Sequence, residues 1–137
     1  MNKYVLDTSA ILMFIDNEKG DEEIESLLIK ALNAEIELFI SVISCIEIFY
    51  ISWREQGKKI AIERLEFIND LPIIQEALWK ELTKIIVEIK TTKTMSFAAS
   101  CIAGLSNFKK AILVHRDPEF DRIKDIIQQY KLSDIRK

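Results

Sequence analysis

Three acidic residues, far apart in the sequence, each follow an apolar stretch that is typical of a buried strand. Asp7 interrupts the run "YVLDTSAILMFI", Glu47 comes shortly after "ELFISVI", and Asp117 comes just after "KKAILVH". A lone carboxylate in an apolar segment is costly to bury unless something compensates its charge. Asp7 in particular therefore needs a partner that offsets its charge.

Carboxylates that are held together repel one another and take up protons, unless a divalent cation lies between them. Mg²⁺ and Mn²⁺ accept such all-oxygen ligand sets, and they leave coordination positions open for a substrate phosphate. Ions bound in this way can activate water and neutralise the charge that develops on the phosphate and the leaving oxygen. The chain has one His and two Cys, so its composition is not that of a zinc site.

Each acid also has a local interpretation that involves no chemistry. Asp7 could cap the helix that follows it, and Glu47 stands three residues after Ser44, the spacing of a capping box. Asp117 precedes Pro118 and could be an ordinary turn residue. None of the three acids alone decides between these interpretations and a metal site.

The elements that must position these acids are strands alternating with helices. We predict strands over 3–6, 37–43, 71–74, 109–115 and 126–132, and helices over 8–15, 21–34, 44–57, 58–70, 76–90 and 95–106. Thr8 or Ser9 is expected to cap the first helix, and Pro72 restricts its strand to an edge of the sheet. This alternation predicts an α/β fold, a three-layer domain around a mainly parallel sheet. Ligands of such folds bind at the carboxyl ends of the strands, where the three acids would converge.

Composition limits the remaining possibilities. The chain has 137 residues, which fits a single domain over 1–137, and 49% of them are hydrophobic. The net charge is −3, so a nucleic acid partner would require a local basic patch or bound cations. We see no secretory signal or membrane span and expect a cytoplasmic protein. Cys45 and Cys101 are expected to be buried free thiols, although a single disulfide between them stays open.

Four segments resemble the signature segments of PIN-domain proteins, and most of all the VapC-type ribonuclease toxins of prokaryotic toxin–antitoxin pairs. They are "YVLDTSAIL", "ISVISCIEIFY", "MSFAASCIAGLS" and "ILVHRDPEF", in the same order and with similar spacing, and the resemblance spans residues 3 to 125. It implies a PIN-like α/β/α domain with Mg²⁺- or Mn²⁺-dependent endoribonuclease activity on RNA. It also implies a homodimer that is silenced by an antitoxin protein whose C-terminal segment lies in the active groove. No membrane partner is expected, because the sequence has no membrane span.

The resemblance assigns roles to individual residues. Asp7, Glu47 and Asp117 match three of the family's catalytic, metal-binding acids. Ser9 matches the nearby hydroxyl that helps to order the first acid, and Glu119 is expected to supply an outer contact.

The third segment departs from the family pattern, because Ala99 occupies the position of the expected third acid. Loss of even an outer partner of a metal costs about 10–100-fold in affinity or activity, so we expect weak or absent cleavage. Either Ala99 is an engineered inactivating substitution, which we favour, or the chain is a non-catalytic PIN-like module that binds RNA or protein.

A second departure is His115, where the family has Ser or Thr. His115 could contact phosphate or a metal-bound water. We favour the alternative, that it is a partly exposed residue at the end of a strand. Arg116 is the best candidate for a contact with substrate phosphate, because a guanidinium matches phosphate geometry. Lys90, Lys93 and Arg122 could extend a basic rim around the site, but we favour the interpretation that they are solvated surface charges. The aromatic residues Phe49, Tyr50 and Trp53 share a helix face. This spacing favours a place in the core or at a dimer interface.

Overall fold

Across residues 1–132, the part of the chain that this computed structural model describes, five strands form one sheet in the order β3-β2-β1-β4-β5. The elements in chain order are β1 (Asn2–Leu6), α1 (Thr8–Ile15), α2 (Asp21–Leu32), β2 (Ile36–Ser41), α3 (Val42–Gln56), α4 (Lys58–Asn69), β3 (Ile74–Glu76), α5 (Leu82–Thr92), α6 (Phe97–Lys109), β4 (Ile112–His115), a 3-10 helix (Pro118–Ile123) and β5 (Gln129–Lys131). Every pair of neighbouring strands is parallel. The predicted α/β architecture with a mainly parallel sheet is therefore confirmed, while residues 133–137 of the expected domain lie outside the described part.

Both faces of the sheet are covered, which explains why its strands are continuous apolar runs. Successive side chains of a strand point to opposite faces. Val5 and Leu113 accordingly pack on one side against α5 and α6. Leu6 and Val114 pack on the other side against α1 to α4. The two resulting cores sandwich the sheet in three layers.

The strand order reverses beside β1, and this fixes where a ligand can bind. From β1 the chain adds β2 and then β3 on one side, and it returns to place β4 and β5 on the other. A crevice therefore opens between the carboxyl ends of β1 and β4, the place where open α/β sheets bind their ligands. Asp7 directly follows β1, and Asp117 follows β4 by one residue.

Two predicted strands are too long, because helix capping removes residues from their ends. Helix α3 begins at Val42 rather than at residue 44, since the side chain of Ser41 accepts a hydrogen bond from the backbone of Ile43 at 3.1 Å. At β4, Lys109 still belongs to α6, and Lys110 adopts a left-handed conformation (φ 55°) that ends the helix.

The edge strand is displaced from its predicted position. β3 covers Ile74–Glu76 instead of 71–74, although it is an edge strand as Pro72 indicated. Because Glu76 belongs to this strand, α5 begins only at Leu82. The last strand, Gln129–Lys131, falls inside the predicted 126–132.

Small residues let α6 approach its neighbours closely. A Cβ atom placed on Gly104 would lie 2.7 Å from Cγ1 of Ile86 on α5, which is closer than side-chain carbons pack. Cys45 and Cys101 are both buried and free, as expected. No helix within residues 1–132 combines the length and the apolar character that a membrane crossing requires.

Candidate active site

A cavity of about 240 Å³ lies at the carboxyl edge of the sheet and contains the acids singled out from the sequence. Its walls come from α1, α3, α6 and the segment after β4. The lining residues are Asp7, Thr8, Ser9, Leu12, Glu47, Ser96, Ala98, Ala99, Ile102, Asp117, Glu119 and Phe120. The structure thus brings Asp7, Glu47 and Asp117 together, with Ser9, Glu119 and Ala99 beside them.

Asp7 is only 2% exposed and is held in place by two local donors. Its Oδ1 accepts a hydrogen bond from the backbone of Ala10 at 2.8 Å, so the interpretation of Asp7 as the cap of α1 is confirmed and a cap at Thr8 or Ser9 is wrong. The hydroxyl of Ser9 donates to the same carboxylate at 2.8–2.9 Å. The local and the chemical interpretations of Asp7 are therefore compatible, since one oxygen caps while the side chain still lines the cavity.

Burial raises the pKa of the Asp7 carboxyl from 3.8 to about 7, because a desolvated carboxylate is costly. The hydrogen bonds from Ala10 and Ser9 act in the opposite direction, whereas the negative charges of Asp117 and Glu47 add to the rise in pKa. Among the described residues that line the cavity, none carries a positive charge that would stabilise ionised Asp7.

Glu47 lies in the second turn of α3 and is held by a residue of α1. Thr8 Oγ1 donates to Glu47 Oε1 at 2.6 Å, and Ser44 Oγ lies 3.0 Å from the same threonine oxygen. The threonine proton is used toward Glu47, so Ser44 donates to Thr8. The alternative interpretation of Ser44 and Glu47 as a capping box is wrong, since Ser41 caps α3. Thr8 and Ser44 were missed as site residues, and the only sequence signal was a hydroxyl beside Asp7.

Asp117 is positioned by the turn that follows β4. Its Oδ1 accepts a hydrogen bond from the backbone of Glu119 at 2.9 Å and caps the 3-10 helix. Its own backbone N–H donates to Nδ1 of His115 at 3.2 Å. As for Asp7, a capping role and a place in the cavity coexist.

His115 is fully buried, so the expectation of a partly exposed strand end is wrong. The ring packs against Phe120 at a centroid distance of 4.9 Å, and Nε2 lies 2.8 Å from Oε1 of Gln129. Burial lowers the pKa of His115, so the ring is neutral with its proton on Nε2. Both ring nitrogens bind within the fold, which leaves His115 a supporting role behind Asp117.

The two ends of the crevice are joined through Ser9. The backbone N–H of Arg116 donates to Ser9 Oγ at 3.0 Å, and Ser9 in turn donates to Asp7. One hydroxyl therefore ties the segment after β4 to the segment after β1, which fixes the spacing of the two acids.

Glu119, in the 3-10 helix, contacts the residue that precedes α6, the helix that carries Ala99. Its Oε1 accepts a hydrogen bond from the backbone of Ser96, and its Oε2 lies 3.4 Å from Ser96 Oγ. Ser96 in turn caps α6 by accepting from the backbone of Ala99 at 3.1 Å. Ala99 is 5% exposed and places a methyl group where the family resemblance expects a carboxylate.

The basic residues named from the sequence do not line the cavity. The Nη2 atom of Arg116 forms an ion pair with Oε2 of Glu18 at 2.6 Å, and the side chain is 10% exposed. Lys93 pairs with Asp125 at 3.1 Å. Lys90 and Arg122 are exposed, as expected of solvated charges. A phosphate would therefore have to compete with Glu18 for Arg116.

The aromatic residues of α3 are mostly outside the core. Tyr50 and Trp53 are 52% and 45% exposed, while Phe49 is half-buried and meets Trp53 edge to face at 5.6 Å. Core packing within the chain is thus the wrong interpretation for Tyr50 and Trp53, and a role at a dimer interface stays a prediction.

The donor set fits a hard divalent cation in its chemistry, because it contains only carboxylate and hydroxyl oxygens. The raised pKa of Asp7 supports the same conclusion, since a cation would supply the missing positive charge. Within residues 1–132, however, no three His, Cys, Asp or Glu side chains are grouped tightly enough to form a metal site as they stand. The acids share the cavity without being preassembled around one ion.

Comparison with known proteins agrees with this geometry. The family model described as PIN domain matches residues 4–126. A structure of VapBC2 from Rickettsia felis, bound to a DNA fragment from its promoter, is 19% identical over 96% of this chain and 99% of that chain, with a TM-score of 0.79. A VapBC-1 structure from nontypeable Haemophilus influenzae is 20% identical over 94% and 97%, with a TM-score of 0.74.

A third structure, Mycobacterium tuberculosis VapC20, is described as a Sarcin-Ricin loop cleaving toxin. It is 14% identical over 86% of this chain and 92% of that chain, with a TM-score of 0.63. At these identities the likeness concerns the fold. The sequence comparison with curated proteins returned no match.

Proposed function

This chain belongs to the PIN domain family, and we propose that it is a metal-dependent endoribonuclease of the VapC toxin type, weakened by Ala99. The observation that carries the proposal is the meeting of Asp7, Glu47 and Asp117, from three distant parts of the chain, in one cavity at the reversal point of the sheet. Asp7 and Asp117 also cap helices, whereas Glu47 caps none and still lines the same cavity. The shared cavity supports the proposal that this site binds a cation.

A bound Mg²⁺ or Mn²⁺ would supply the charge that phosphodiester hydrolysis requires and would offset the carboxylates. Asp7, Glu47 and Asp117 would hold it. Ser9 and the Ala10 backbone fix the direction of the Asp7 carboxylate, and Thr8 fixes Glu47. These hydrogen bonds limit how far the acids must move when the cation binds.

Ala99 places a methyl group where the family resemblance expects a carboxylate, so the acids that line the cavity are Asp7, Glu47, Asp117 and Glu119. We expect a cation to bind weakly there, because the charge and number of oxygen ligands determine affinity for a hard metal. Cleavage by the chain with Ala99 is therefore expected to be slow or absent.

The structural relatives support the proposed partners. Two of them are described as VapBC and one as a toxin that cleaves the Sarcin-Ricin loop. On this ground we propose an RNA substrate and an antitoxin partner for this chain. The homodimer that we also propose rests on the sequence resemblance, and the cytoplasmic location rests on the sequence analysis.

The direct test is RNA cleavage by the Ala99→Asp variant with Mg²⁺ or Mn²⁺ present, compared with the unchanged chain and with Ala99→Asp/Asp7→Asn. We expect metal-dependent cleavage from Ala99→Asp, little from the unchanged chain, and none from the double variant. Cleavage that persists in EDTA or in the double variant would contradict the proposal.

A second candidate is a non-catalytic PIN-like module that binds RNA or protein. It is favoured by Ala99 itself and by the lack of a preassembled metal group within the described residues. It predicts that Ala99→Asp gains neither metal binding nor cleavage, so the same experiment separates the two.

A further inference from the structure

The guanidinium of Arg116 is bound within the fold, and we propose that Arg116 is a positioning residue. Through its ion pair with Glu18 it holds Asp117 at the acidic cavity, and it does not contact the substrate phosphate. This inference rests on the ribonuclease function proposed above. It gives the residue beside Asp117 a role that differs from the phosphate contact expected from the sequence.

Asp117 lies beyond the sheet, so the ladder of strand hydrogen bonds does not hold it. Strand β4 ends at His115, and Arg116 is the residue between this strand and Asp117. Arg116 has two anchors outside its own segment. Its backbone N–H donates to Ser9 Oγ at 3.0 Å, and its Nη2 atom lies 2.6 Å from Oε2 of Glu18. The position of Asp117 therefore depends partly on the contacts of its neighbour.

Glu18 is a fixed anchor, because the helices on either side hold its backbone. Its N–H donates to the carbonyl of Met13 in α1 at 3.0 Å, and its carbonyl accepts from Asp21, the first residue of α2, at 3.1 Å. Ser9 lies near the start of α1, and Glu18 follows its end. Arg116 thus contacts both ends of a helix whose eight residues span about 12 Å. Helix α1 and the segment after β4 are fixed to each other at two points.

The burial of this ion pair keeps the guanidinium away from a phosphate in the cavity. The side chains of Arg116 and Glu18 are 10% and 21% exposed, and neither residue lines the cavity. The other guanidinium nitrogen, Nη1, is also buried and has no hydrogen-bond partner among the described residues. A phosphate reaches the guanidinium only if it displaces Glu18. With the pair intact, Arg116 acts on the site through Asp117 and Ser9.

The first test measures Mn²⁺ affinity by calorimetry, with every change made in the Ala99→Asp variant. Glu18→Ala removes the anchor, and Arg116→Met removes the guanidinium but keeps the apolar stem. Each should weaken Mn²⁺ binding about 10-fold, the lower end of the loss caused by removing an outer partner of a metal. The double variant should lose no more than either single variant, because both changes break the same contact. Glu18→Gln keeps an oxygen that accepts a hydrogen bond and should retain most of the affinity.

Two further measurements separate positioning from other roles. In EDTA, the amide proton of Arg116 should lose protection against solvent exchange in Glu18→Ala, measured by NMR, because its hydrogen bond to Ser9 loosens. The other is binding of a fluorescently labelled single-stranded RNA that carries 2′-O-methyl groups, so that it cannot be cut. Glu18→Ala releases the guanidinium, and positioning predicts no gain in RNA affinity.

Asp16 and Arg64 provide a matched control pair. Asp16 also stands at the end of α1, and its Oδ1 atom lies 2.9 Å from Nη2 of Arg64 in α4. This ion pair fastens α1 to α4 and not to the segment that carries Asp117. Asp16→Ala should therefore leave Mn²⁺ affinity and the exchange of the Arg116 amide unchanged. Thermal unfolding of all variants shows which of them fold, and Arg116→Met carries the same prediction if Glu18→Ala does not fold.

Three results would overturn the inference and leave the ribonuclease proposal standing. Full Mn²⁺ affinity in Glu18→Ala and Arg116→Met would show that the ion pair does not position Asp117. Tighter RNA binding by Glu18→Ala would show that the released guanidinium contacts phosphate. An equal loss of Mn²⁺ affinity in Asp16→Ala would show a general loosening of α1. If Ala99→Asp itself binds no Mn²⁺, the proposed function fails and the inference fails with it.

Discussion

Replacement of Asp7 by Asn should stabilise the metal-free protein at alkaline pH and leave it nearly unchanged at acidic pH. The carboxyl group is 2% exposed, and its pKa is raised from 3.8 to about 7. Asn keeps a carbonyl oxygen that can accept the hydrogen bond from Ala10, and its amide can donate to Ser9 Oγ. The variant thus retains the cap of α1 and removes the charge.

The sign of the effect follows from proton binding. An unfolded chain loses the Asp7 proton near pH 3.8, whereas the folded chain retains it up to about pH 7. Between these values the folded state binds more protons, so the stability contributed by this group falls as pH rises and stays low above pH 7. The full difference corresponds to about 4 kcal/mol, of which about 2–3 kcal/mol falls between pH 5 and pH 8.

The assay is urea unfolding in EDTA at pH 5, 6, 7 and 8, with the free energy of unfolding of Asp7→Asn compared with that of the unchanged chain. The difference between the two should grow by about 2–3 kcal/mol across this range in favour of the variant. Asp125 provides the control, because it is exposed and its pKa is lowered by Lys93. Asp125→Asn should show no such growth.

A difference that stays constant from pH 5 to pH 8 would refute the reasoning, because it would mean that Asp7 is not a strained carboxylate in the folded chain. Stabilisation of the unchanged chain by Mg²⁺ at pH 8, absent in Asp7→Asn, would complete the argument by mass action.

Three other features of the structure lead to predictions. Thr8→Val, made in the Ala99→Asp variant, removes the donor to Glu47 and should lower Mn²⁺ affinity and RNA cleavage about 10–100-fold. Thr8→Ser keeps the hydroxyl and should retain both. Equal Mn²⁺ affinity of the Val and Ser variants would contradict the role of the hydroxyl. Burial lowers the pKa of His115, so its contribution to the free energy of unfolding should be lost as pH falls below 6.5. His115→Gln should make the free energy of unfolding, measured with urea, fall less steeply with decreasing pH. An unchanged pH profile would argue against a buried neutral ring. Gly104→Ala should cost about 1–3 kcal/mol in thermal unfolding because its Cβ would lie 2.7 Å from Cγ1 of Ile86. The same change should cost less in an Ile86→Ala background, where that Cγ1 atom is absent. No loss in the single variant would mean that α5 and α6 are looser than the structure has them.

The convergence of the acids could be predicted because it depends on patterns that are local in sequence. Continuous apolar runs predict buried parallel strands, and the carboxyl ends of parallel strands share one edge of a sheet. Asp7 follows such a run directly and Asp117 follows one after a single residue, so their meeting needs only the correct fold class. The sequence resemblance then pointed to the same residues and to the absent acid at Ala99.

The hydrogen bonds that support the acids could not be predicted, because their partners are distant in sequence. Thr8 and Glu47 are 39 residues apart, and Arg116 and Ser9 are 107 residues apart. The burial of His115 depends on Gln129 in a short strand near the end of the described residues. No pattern around His115 itself indicates that strand.

The ion-pair partner of Arg116 could not be predicted from the sequence either. Arg116 adjoins Asp117 and has the right chemistry for phosphate, yet its guanidinium pairs with Glu18 in the loop between α1 and α2. The residue that caps α3 could not be predicted for a related reason. Ser41 and Ser44 are three residues apart and either could cap α3, and only the end of β2 determines that the helix begins after Ser41.

The central claim is that Asp7, Glu47 and Asp117 jointly hold a divalent cation, and titration of Mn²⁺ into the Ala99→Asp variant tests it most directly. Calorimetry should show saturable binding that is lost in Ala99→Asp/Asp7→Asn and weaker in the chain with Ala99. Binding that survives the loss of Asp7, or no binding to Ala99→Asp at any pH above 7, would contradict the account.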